Sequence, residues 1–428
     1  MIKYMMYKYK LRHMPHRLES NMHLYPANIL IPDFGKTDGR LWSCVACDQF
    51  TGEPEYWERA DSEVGNSPST LRLILPEAFL SESKERVPKI HAAMRDYIER
   101  GILKEHKHRA VWLERTQSDG RVRRGLVAAI DLEEYDFSDG SVSLIRATER
   151  TVPERIPPRI GVRRGAPLEL PHVMLLIDDP ADSVLWRFSG RTPDAYDFDL
   201  MGGGGHVRGG FVGASEMEDV NAALDALLAQ KKGSAAPILF AVGDGNHSLA
   251  TAKTVWEEYR AAGAPMTHPA RYALCEVVNL HDTALEFEPI YRLVSGCGTE
   301  RIVSEFKRYA GRLCGSEPEQ RFDIVTANGK ETVTVPHPEK ALPVATLQDF
   351  LDAYKSADTS MELDYIHGVQ SLTTLASAEG RVGFLFGGMR KNELFRAVEN
   401  DGALPRKTFS MGHAADKRYY LECRRIDG

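Results

Sequence analysis

The residues best suited to chemistry lie near the middle of the chain, directly after an apolar run. PILFAV (237–242) is typical of a strand buried on both faces, and a helix is predicted from Ser248 to Ala262. Six residues join the two as a turn: Gly243, Asp244, Gly245, Asn246, His247 and Ser248. Glycines permit close ligand approach, and a helix start presents backbone N–H groups to an anion. The turn therefore predicts a phosphate-binding site.

Individual roles follow from the side chains of this turn. Asp244 is a candidate ligand for Mg²⁺, which prefers oxygen donors. Asn246 and His247 are candidate donors to phosphoryl oxygens, with Gly243, Gly245 and Ser248 completing the cradle. No Gly-x-x-x-x-Gly-Lys-Ser/Thr sequence is present at this turn, so it is not a Walker loop. The alternative is a capped helix whose Asp, Asn and Ser serve stability alone.

A second candidate is the arginine-rich segment 144–172, which contains six arginines and the proline pair 157–158. Prolines stiffen an extended chain, and the guanidinium fork binds phosphate or carboxylate with two hydrogen bonds. Arg146, Arg155 and Arg159 are the predicted phosphate-binding members, and Glu149 and Glu154 are secondary candidates. The segment therefore predicts an anion clamp. The alternative is a surface strap in which arginines pair with neighbouring glutamates.

Two further segments offer a base and cations. Asp48 ends the apolar run 41–50, and a carboxylate at a strand end can act as a general base at the mouth of a cleft. The alternative is an ordinary Asp that starts a turn. Near the C-terminus, Arg406, Lys407 and Thr408 place two cations beside a hydroxyl, which suits phosphate but is equally typical of a solvated turn.

Composition and charge limit the class of protein. The chain has 428 residues, 43% of them hydrophobic, with 54 basic and 61 acidic side chains and a net charge of −7. This acidity predicts no nucleic-acid partner, since nucleic-acid-binding surfaces are basic, and it disfavours a nuclease. No apolar run reaches the ~18 residues of a membrane span. Six cysteines without a disulfide or zinc pattern predict a cytoplasmic protein. Cys44 and Cys47 form a Cys-x-x-Cys sequence, and their thiols are predicted to lie in the core.

The elements that must position these residues alternate between strands and helices, which predicts a mixed α/β (α+β) fold. Strands are predicted at 24–32, 41–50, 110–115, 123–131, 173–177, 237–242 and 273–280, with helices at 82–101, 216–231 and 248–262. The glycine-rich stretch 197–211 is predicted to be a loop. We expect a disordered tail or mis-assigned start at 1–22, a main domain at 23–292, a smaller α+β domain at 293–400 and a segment at 401–428 that returns to the site.

Several long motifs resemble a known family. LYPANILIP, VACDQFTGEPEYW, SLIRATERTVPERIPPRIGVRRGAPLELPH, GDGNHSLATAK and LPRKTFSMG occur in the order found in the bacterial family called domain of unknown function 1015. The resemblance extends from about residue 23 to 428. This family name by itself implies no activity.

A more distant resemblance carries a mechanism. The turn at 244–248 is similar to the strand–Asp-Gly-His-His-Arg–helix turn of free-serine kinases with a ParB/sulfiredoxin-like domain. Cys47-Asp48-Gln49 is similar to their His-Glu-Gln, which would make Asp48 the counterpart of the carboxylate that activates serine. Pro405-Arg406-Lys407-Thr408 is similar to their Pro-Lys-Thr-Thr. The resemblance implies a ParB/sulfiredoxin-like mixed sheet with large insertions. Asn246 stands where a His is expected, and Ser248 stands where a phosphate-binding Arg is expected.

Together these observations predict a phosphotransferase acting on a small hydroxyl compound such as free serine. Asp48 and His247 are the predicted catalytic residues, with Mg²⁺ on Asp244 and a nucleotide or pyrophosphate as phosphoryl donor. Two alternatives stay open: a nucleotide-binding regulator of the ParB-like type without turnover, and a metal-dependent phosphoester hydrolase. The predicted partner is a small molecule, with neither nucleic acid nor membrane, and the sequence does not predict the oligomeric state.

Overall fold

The structure is a computed structural model, and it describes residues 22–138, 140–150, 156–231, 233–234, 236–412 and 414–427. Arg155, Glu154 and all but the last residue of the predicted tail 1–22 lie outside these ranges. The strands are β1 (Ala27–Pro32), β2 (Cys44–Val45), β3 (Leu103–Thr116), β4 (Val122–Asp131), β5 (Tyr135–Asp136), β6 (Ile145–Ala147), β7 (Leu168–Glu169), β8 (Met174–Ile177), β9 (Tyr196–Asp199), β10 (His206–Val212), β11 (Phe240–Asp244), β12 (Tyr272–Asn279), β13 (Phe287–Ser295), β14 (Gln320–Thr326), β15 (Gly329–Val335), β16 (Glu362–His367), β17 (Val382–Phe386), β18 (Phe409–Met411), β19 (Tyr419–Tyr420) and β20 (Arg424–Arg425). The α-helices are α1 (Gly39–Trp42), α2 (Pro54–Val64), α3 (Ser83–Glu99), α4 (Ile156–Arg163), α5 (Ala214–Gln230), α6 (Asn246–Ala261), α7 (Thr299–Ala310), α8 (Pro343–Ala357), α9 (Val369–Ala376) and α10 (Leu394–Asp401).

A large mixed sheet dominates the fold and confirms the predicted mixed α/β class. Its strands follow the order β5-β6-β11-β8-β12-β4-β3-β10-β9, with β1 also paired to β3. β11 is parallel to β6 and antiparallel to β8, while β12 is parallel to β8 and antiparallel to β4. The end of β11 therefore lies among central strands, where the predicted phosphate turn begins.

Both faces of this sheet are covered, as the alternation of side chains in β3 and β4 requires. Trp112 and Leu126 pack on one face with Leu224 of α5 and Trp256 of α6. The neighbouring residues of the two strands pack on the opposite face with side chains of α2, β2 and β19. The apolar run in β11 is long because that strand is buried on both faces.

A second sheet follows in the chain, with the order β15-β14-β17-β13-β16 and β18 also paired to β13. All its pairings are antiparallel. Phe306 of α7 and Phe350 of α8 pack against it, and the same apolar cluster includes Leu176 of β8 and Ala241 of β11. The main sheet and the second sheet thus share one continuous core next to the β11 turn.

Three local predictions from the sequence are wrong. The predicted strand 41–50 is instead the short helix α1, the two-residue strand β2 and a turn, because Asp38 caps α1 with hydrogen bonds to Arg40 N and Leu41 N. The predicted loop 197–211 contains β9 and β10, whose glycines allow close packing against Tyr196 and Trp112. The proline-stiffened segment contains helix α4, whose first turn holds Pro157 and Pro158.

The C-terminal segment pairs with two short strands outside the main sheet. β19 pairs with β2, and β20 pairs with β7, so residues 414–427 bridge elements from distant parts of the chain. Within the described part of the chain, no helix combines the length and apolarity required to cross a membrane.

Candidate active site

The β11 turn forms one wall of the site. β11 ends at Asp244, and Gly245 precedes α6 with a φ of 78°, a left-handed conformation that glycine adopts without steric cost. The first backbone hydrogen bond of α6 runs from Leu249 N to Gly245 O, so the amides of Asn246 and Ser248 have no acceptor within the helix. Asn246 is half-buried, and its Oδ1 atom is buried without a hydrogen-bond partner. Gly243 packs tightly, since a Cβ there would meet Leu176 and Met411.

Asp48 forms a second wall, in the turn after β2. Ala46 N donates to Arg418 O at 2.8 Å, which ties this turn to the C-terminal segment, and Gln49 Nε2 donates to Asp48 Oδ1 at 3.0 Å. Burial raises the pKa of the Asp48 carboxyl, but the charge of His172 in its protonated form, the Gln49 amide and the charge of Lys417 outweigh it, so the net pKa lies below its usual value. Asp48 is therefore an ionised carboxylate at neutral pH, as a general base must be.

Lys417 joins the two walls. Its Nζ lies 3.1 Å from Asp244 Oδ2, and its charge also lowers the pKa of Asp48. Only 13% of the Lys417 side chain and 19% of the Asp244 side chain are exposed. One partly buried ammonium thus lies close to both the carboxylate of the turn and the carboxylate of the candidate base.

His172 connects the site to the interior. Its Nε2 lies 2.9 Å from Ser248 Oγ and its Nδ1 lies 2.8 Å from Tyr420 Oη, which also accepts a hydrogen bond from Cys47 N at 3.3 Å. Burial lowers the pKa of His172 and outweighs the charges of Asp48 and Asp244, which raise it. The imidazole is therefore neutral at pH 7, with one donor and one acceptor nitrogen for its two partners.

Glu149 lies near enough to Asp244 to be affected by its charge, and the 405–408 loop contacts Glu149. Thr408 N donates to Glu149 Oε1 at 3.3 Å, and the backbone of Lys407, whose φ is 57°, also donates to this carboxylate. Burial raises the pKa of Glu149, and the nearby Asp244 raises it further. The loop is fixed by the buried Arg292, which donates to the carbonyls of Arg406 and Lys407. The structure thus brings Lys407 and Thr408 to the carboxylate that faces Asp244.

The structure brings few of the predicted arginines to this place. Arg146 donates to the carbonyls of Ser143 and Ala236, at the opposite end of β11 from Asp244. Arg406 donates from its Nε to Tyr365 Oη at 3.1 Å. Arg159 pairs with Glu77, yet its charge still lowers the pKa of His172. Arg163 and Arg164 pair with Glu169 and Glu258, so Arg159, Arg163 and Arg164 each form an ion pair with a glutamate, the first two of them mostly buried.

The surroundings of Asp244 do not fit the predicted Mg²⁺. Its Oδ2 faces the Lys417 ammonium, and its Oδ1 accepts the Gly245 N–H at 2.9 Å. Within the described residues, no group of three or more His, Cys, Asp or Glu side chains could hold a metal ion. The Lys417 ammonium already supplies, beside Asp244, the positive charge that a bound metal ion would supply.

Three residues of this site escaped the sequence reasoning: Lys417, His172 and Tyr420. Each is an isolated polar residue in a segment without a turn or strand–helix motif. A buried ionic network positions Lys417 and Tyr420, because Arg418 lies between them in the sequence and is held in place. Arg418 pairs with Glu276 and Glu422 and donates from Nε to Pro171 O at 3.0 Å. His247, the predicted catalytic histidine, lies in the first turn of α6, where its carbonyl accepts the Thr251 hydroxyl at 2.7 Å.

Comparison with known proteins identifies the family. The model of the protein family of unknown function DUF1015 matches residues 33–354, which is most of the chain, and the chain belongs to that family. No curated protein matches the chain significantly.

Several solved structures match the chain at low similarity. A conserved hypothetical protein from Pyrococcus furiosus is 12% identical, with 70% of this chain and 95% of that chain covered and a TM-score of 0.35. A free serine kinase in complex with AMP is 12% identical, with coverage of 70% and 91% and a TM-score of 0.35. SbnI with a C-terminal truncation from Staphylococcus aureus is 9% identical, with coverage of 69% and 82% and a TM-score of 0.34.

Proposed function

We propose that this protein is a kinase-like phosphotransferase that acts on a small hydroxyl compound. The observation that carries the proposal is the convergence of three distant segments. An ionised Asp48, the start of α6 and the ammonium of Lys417, 3.1 Å from Asp244, lie together at the end of a central strand. Phosphoryl transfer depends mainly on positioning and on stabilising charge, and these groups supply both.

Each group has a role in the transfer. Asp48 accepts the proton of the acceptor hydroxyl as its oxygen forms a bond to phosphorus and the bond between phosphorus and the donor oxygen breaks. The backbone amides of Asn246 and Ser248 hold the oxygens of the transferring group, and the Lys417 ammonium neutralises the charge that develops there. Lys407 lies beside Glu149 and adds a second cation. No step requires a metal bound to Asp244.

The donor is proposed to be a nucleotide or pyrophosphate, and free serine is the first acceptor to test. Both carry the chemistry that the site can hold: an anion at the start of α6 and a hydroxyl at Asp48. The protein is proposed to work on small molecules in the cytoplasm, without a nucleic-acid partner.

The test is a product assay by ³¹P NMR. The protein is incubated with serine and, in turn, ATP, ADP or pyrophosphate, with and without Mg²⁺. We expect a new phosphomonoester resonance with one donor, and its loss in Asp48→Asn. Asp219→Asn on α5, whose side chain is 73% exposed, is the matched control and should retain full turnover. Circular dichroism checks that both variants fold.

Three results would contradict the proposal. Full turnover by Asp48→Asn would remove Asp48 from the mechanism. Tight nucleotide binding with no phosphorylated product for any acceptor would favour the regulator, and release of inorganic phosphate from a phosphoester would favour the hydrolase.

A further inference from the structure

A cavity lies behind the candidate active site. It has a volume of about 130 Å³, and His172, Ser248 and Tyr420, the three hydrogen-bonded residues of the site, form part of its wall. Cys47, the residue before Asp48, also lines it. The cavity therefore begins beside the candidate base Asp48, and His172 contributes both to the active site and to the cavity wall.

The rest of the wall is mainly aliphatic. Leu75, Met94, Leu168, Ala252 and Leu274 contribute to it, and each is almost fully buried. The charged residues of the wall face partners of opposite charge, as in the pairs of Arg159 with Glu77 and of Arg163 with Glu169. The cavity thus offers apolar surface with a hydrogen-bonding edge at the active site, which is the arrangement that small-molecule pockets share.

We propose that this cavity binds an aliphatic group of the acceptor, so that the substrate is a hydroxyl compound with an apolar body of about six non-hydrogen atoms. The inference rests on the proposed function and narrows its acceptor. A cavity of ~150 Å³ lined by aliphatic side chains stays dry and takes up benzene, which sets the size. Serine fills little of this space, so an acceptor with a short or branched hydrocarbon chain binds more tightly.

Binding of 1-alkanols from ethanol to 1-octanol, followed by ligand-observed NMR, tests the cavity without turnover. We expect the affinity to rise about fourfold with each added CH₂, because burying one CH₂ contributes ~0.8 kcal/mol of binding free energy. The affinity should level off near 1-hexanol. Ala252→Leu fills the cavity and should abolish this chain-length dependence. Met94→Ala enlarges it and should move the optimum to a longer chain. Ala261→Leu at the exposed end of α6 is the matched control and should behave as the wild type.

Turnover of serine and of leucinol, which has a hydroxyl and a branched aliphatic group, completes the test. We expect a kcat/KM at least tenfold higher for leucinol, with the advantage lost in Ala252→Leu. If no alkanol binds, or if both Ala252→Leu and Met94→Ala leave the chain-length dependence unchanged, the cavity is a structural void and the inference is overturned. Phosphorylation of serine in that case would leave the proposed function standing. Alkanol binding without any phosphorylated product would overturn the phosphotransferase instead and keep the cavity as a ligand site.

Discussion

The ion pair between Lys417 and Asp244 gives the sharpest test of how the site is assembled. Removing one partner of a buried ion pair costs about 3–5 kcal/mol of unfolding free energy, whereas an exposed pair contributes about 0–1 kcal/mol. The two side chains are 13% and 19% exposed, so they are closer to the buried case. We expect Lys417→Met and Asp244→Asn each to lower the unfolding free energy by about 2–3 kcal/mol.

The double variant separates this pair from its surroundings. Because it leaves neither charge unpaired, Lys417→Met with Asp244→Asn should be less destabilised than the sum of the single variants by about 2 kcal/mol. The assay is urea unfolding followed by tryptophan fluorescence and by circular dichroism, whose transitions must coincide before free energies are compared. Additivity within about 0.5 kcal/mol would show that the two residues do not interact and would refute the reasoning.

Three further predictions concern the elements around the site. Gly245→Ala should destabilise the protein by about 1–2 kcal/mol, because the φ of Gly245 is 78° and a Cβ there would lie 3.0 Å from Val173 Cα. Gly52→Ala, where a Cβ would meet open space, should change the unfolding free energy little in the same urea assay. Arg418→Met should cost about 3–5 kcal/mol, because it leaves Glu422 buried without its cation and leaves Glu276 with Arg123 alone, 3.4 Å away. Arg425→Met at the surface should cost under about 1 kcal/mol, and equal effects of the two substitutions would contradict the network. The pKa of His172 is lowered in the folded protein, so the unfolded chain takes up a proton first as the pH falls, and stability is lost below about pH 6.5. The stability advantage of wild type over His172→Gln should therefore shrink between pH 7.5 and pH 5.5. A constant difference would contradict the lowered pKa of His172.

The strand, turn and helix around Asp244 form a local pattern in the sequence, whereas the rest of the site depends on contacts between distant segments. The apolar run before Asp244 and the glycine at 245 predict the strand, turn and helix that the structure has, because burial on both faces and a left-handed backbone are local requirements. Lys417 carries no such pattern. Its place depends on the pairing of β19 with β2 and on the buried Arg418, which no periodicity in the sequence reveals.

Two of the three wrong sequence-based predictions show how local preferences are overridden. The run 41–50 is apolar enough for a strand, but Asp38 caps a helix there and the following residues turn toward the site. The glycines of 197–211 suggested a loop, yet in β10 they make room for the aromatic rings of Tyr196 and Trp112. In both places a tertiary contact or a cap outweighs the average preference of the residue types.

The central claim is that the start of α6 and Lys417 hold the transferring phosphoryl group opposite Asp48. A crystal structure of the protein with the donor that gives product bound as a non-hydrolysable analogue (of ATP, ADP or pyrophosphate) tests it most directly. The claim predicts the terminal phosphate within hydrogen-bond distance of the amides of Asn246 and Ser248 and of Lys417 Nζ. A donor analogue bound elsewhere on the molecule, with no phosphate at this turn, would contradict it.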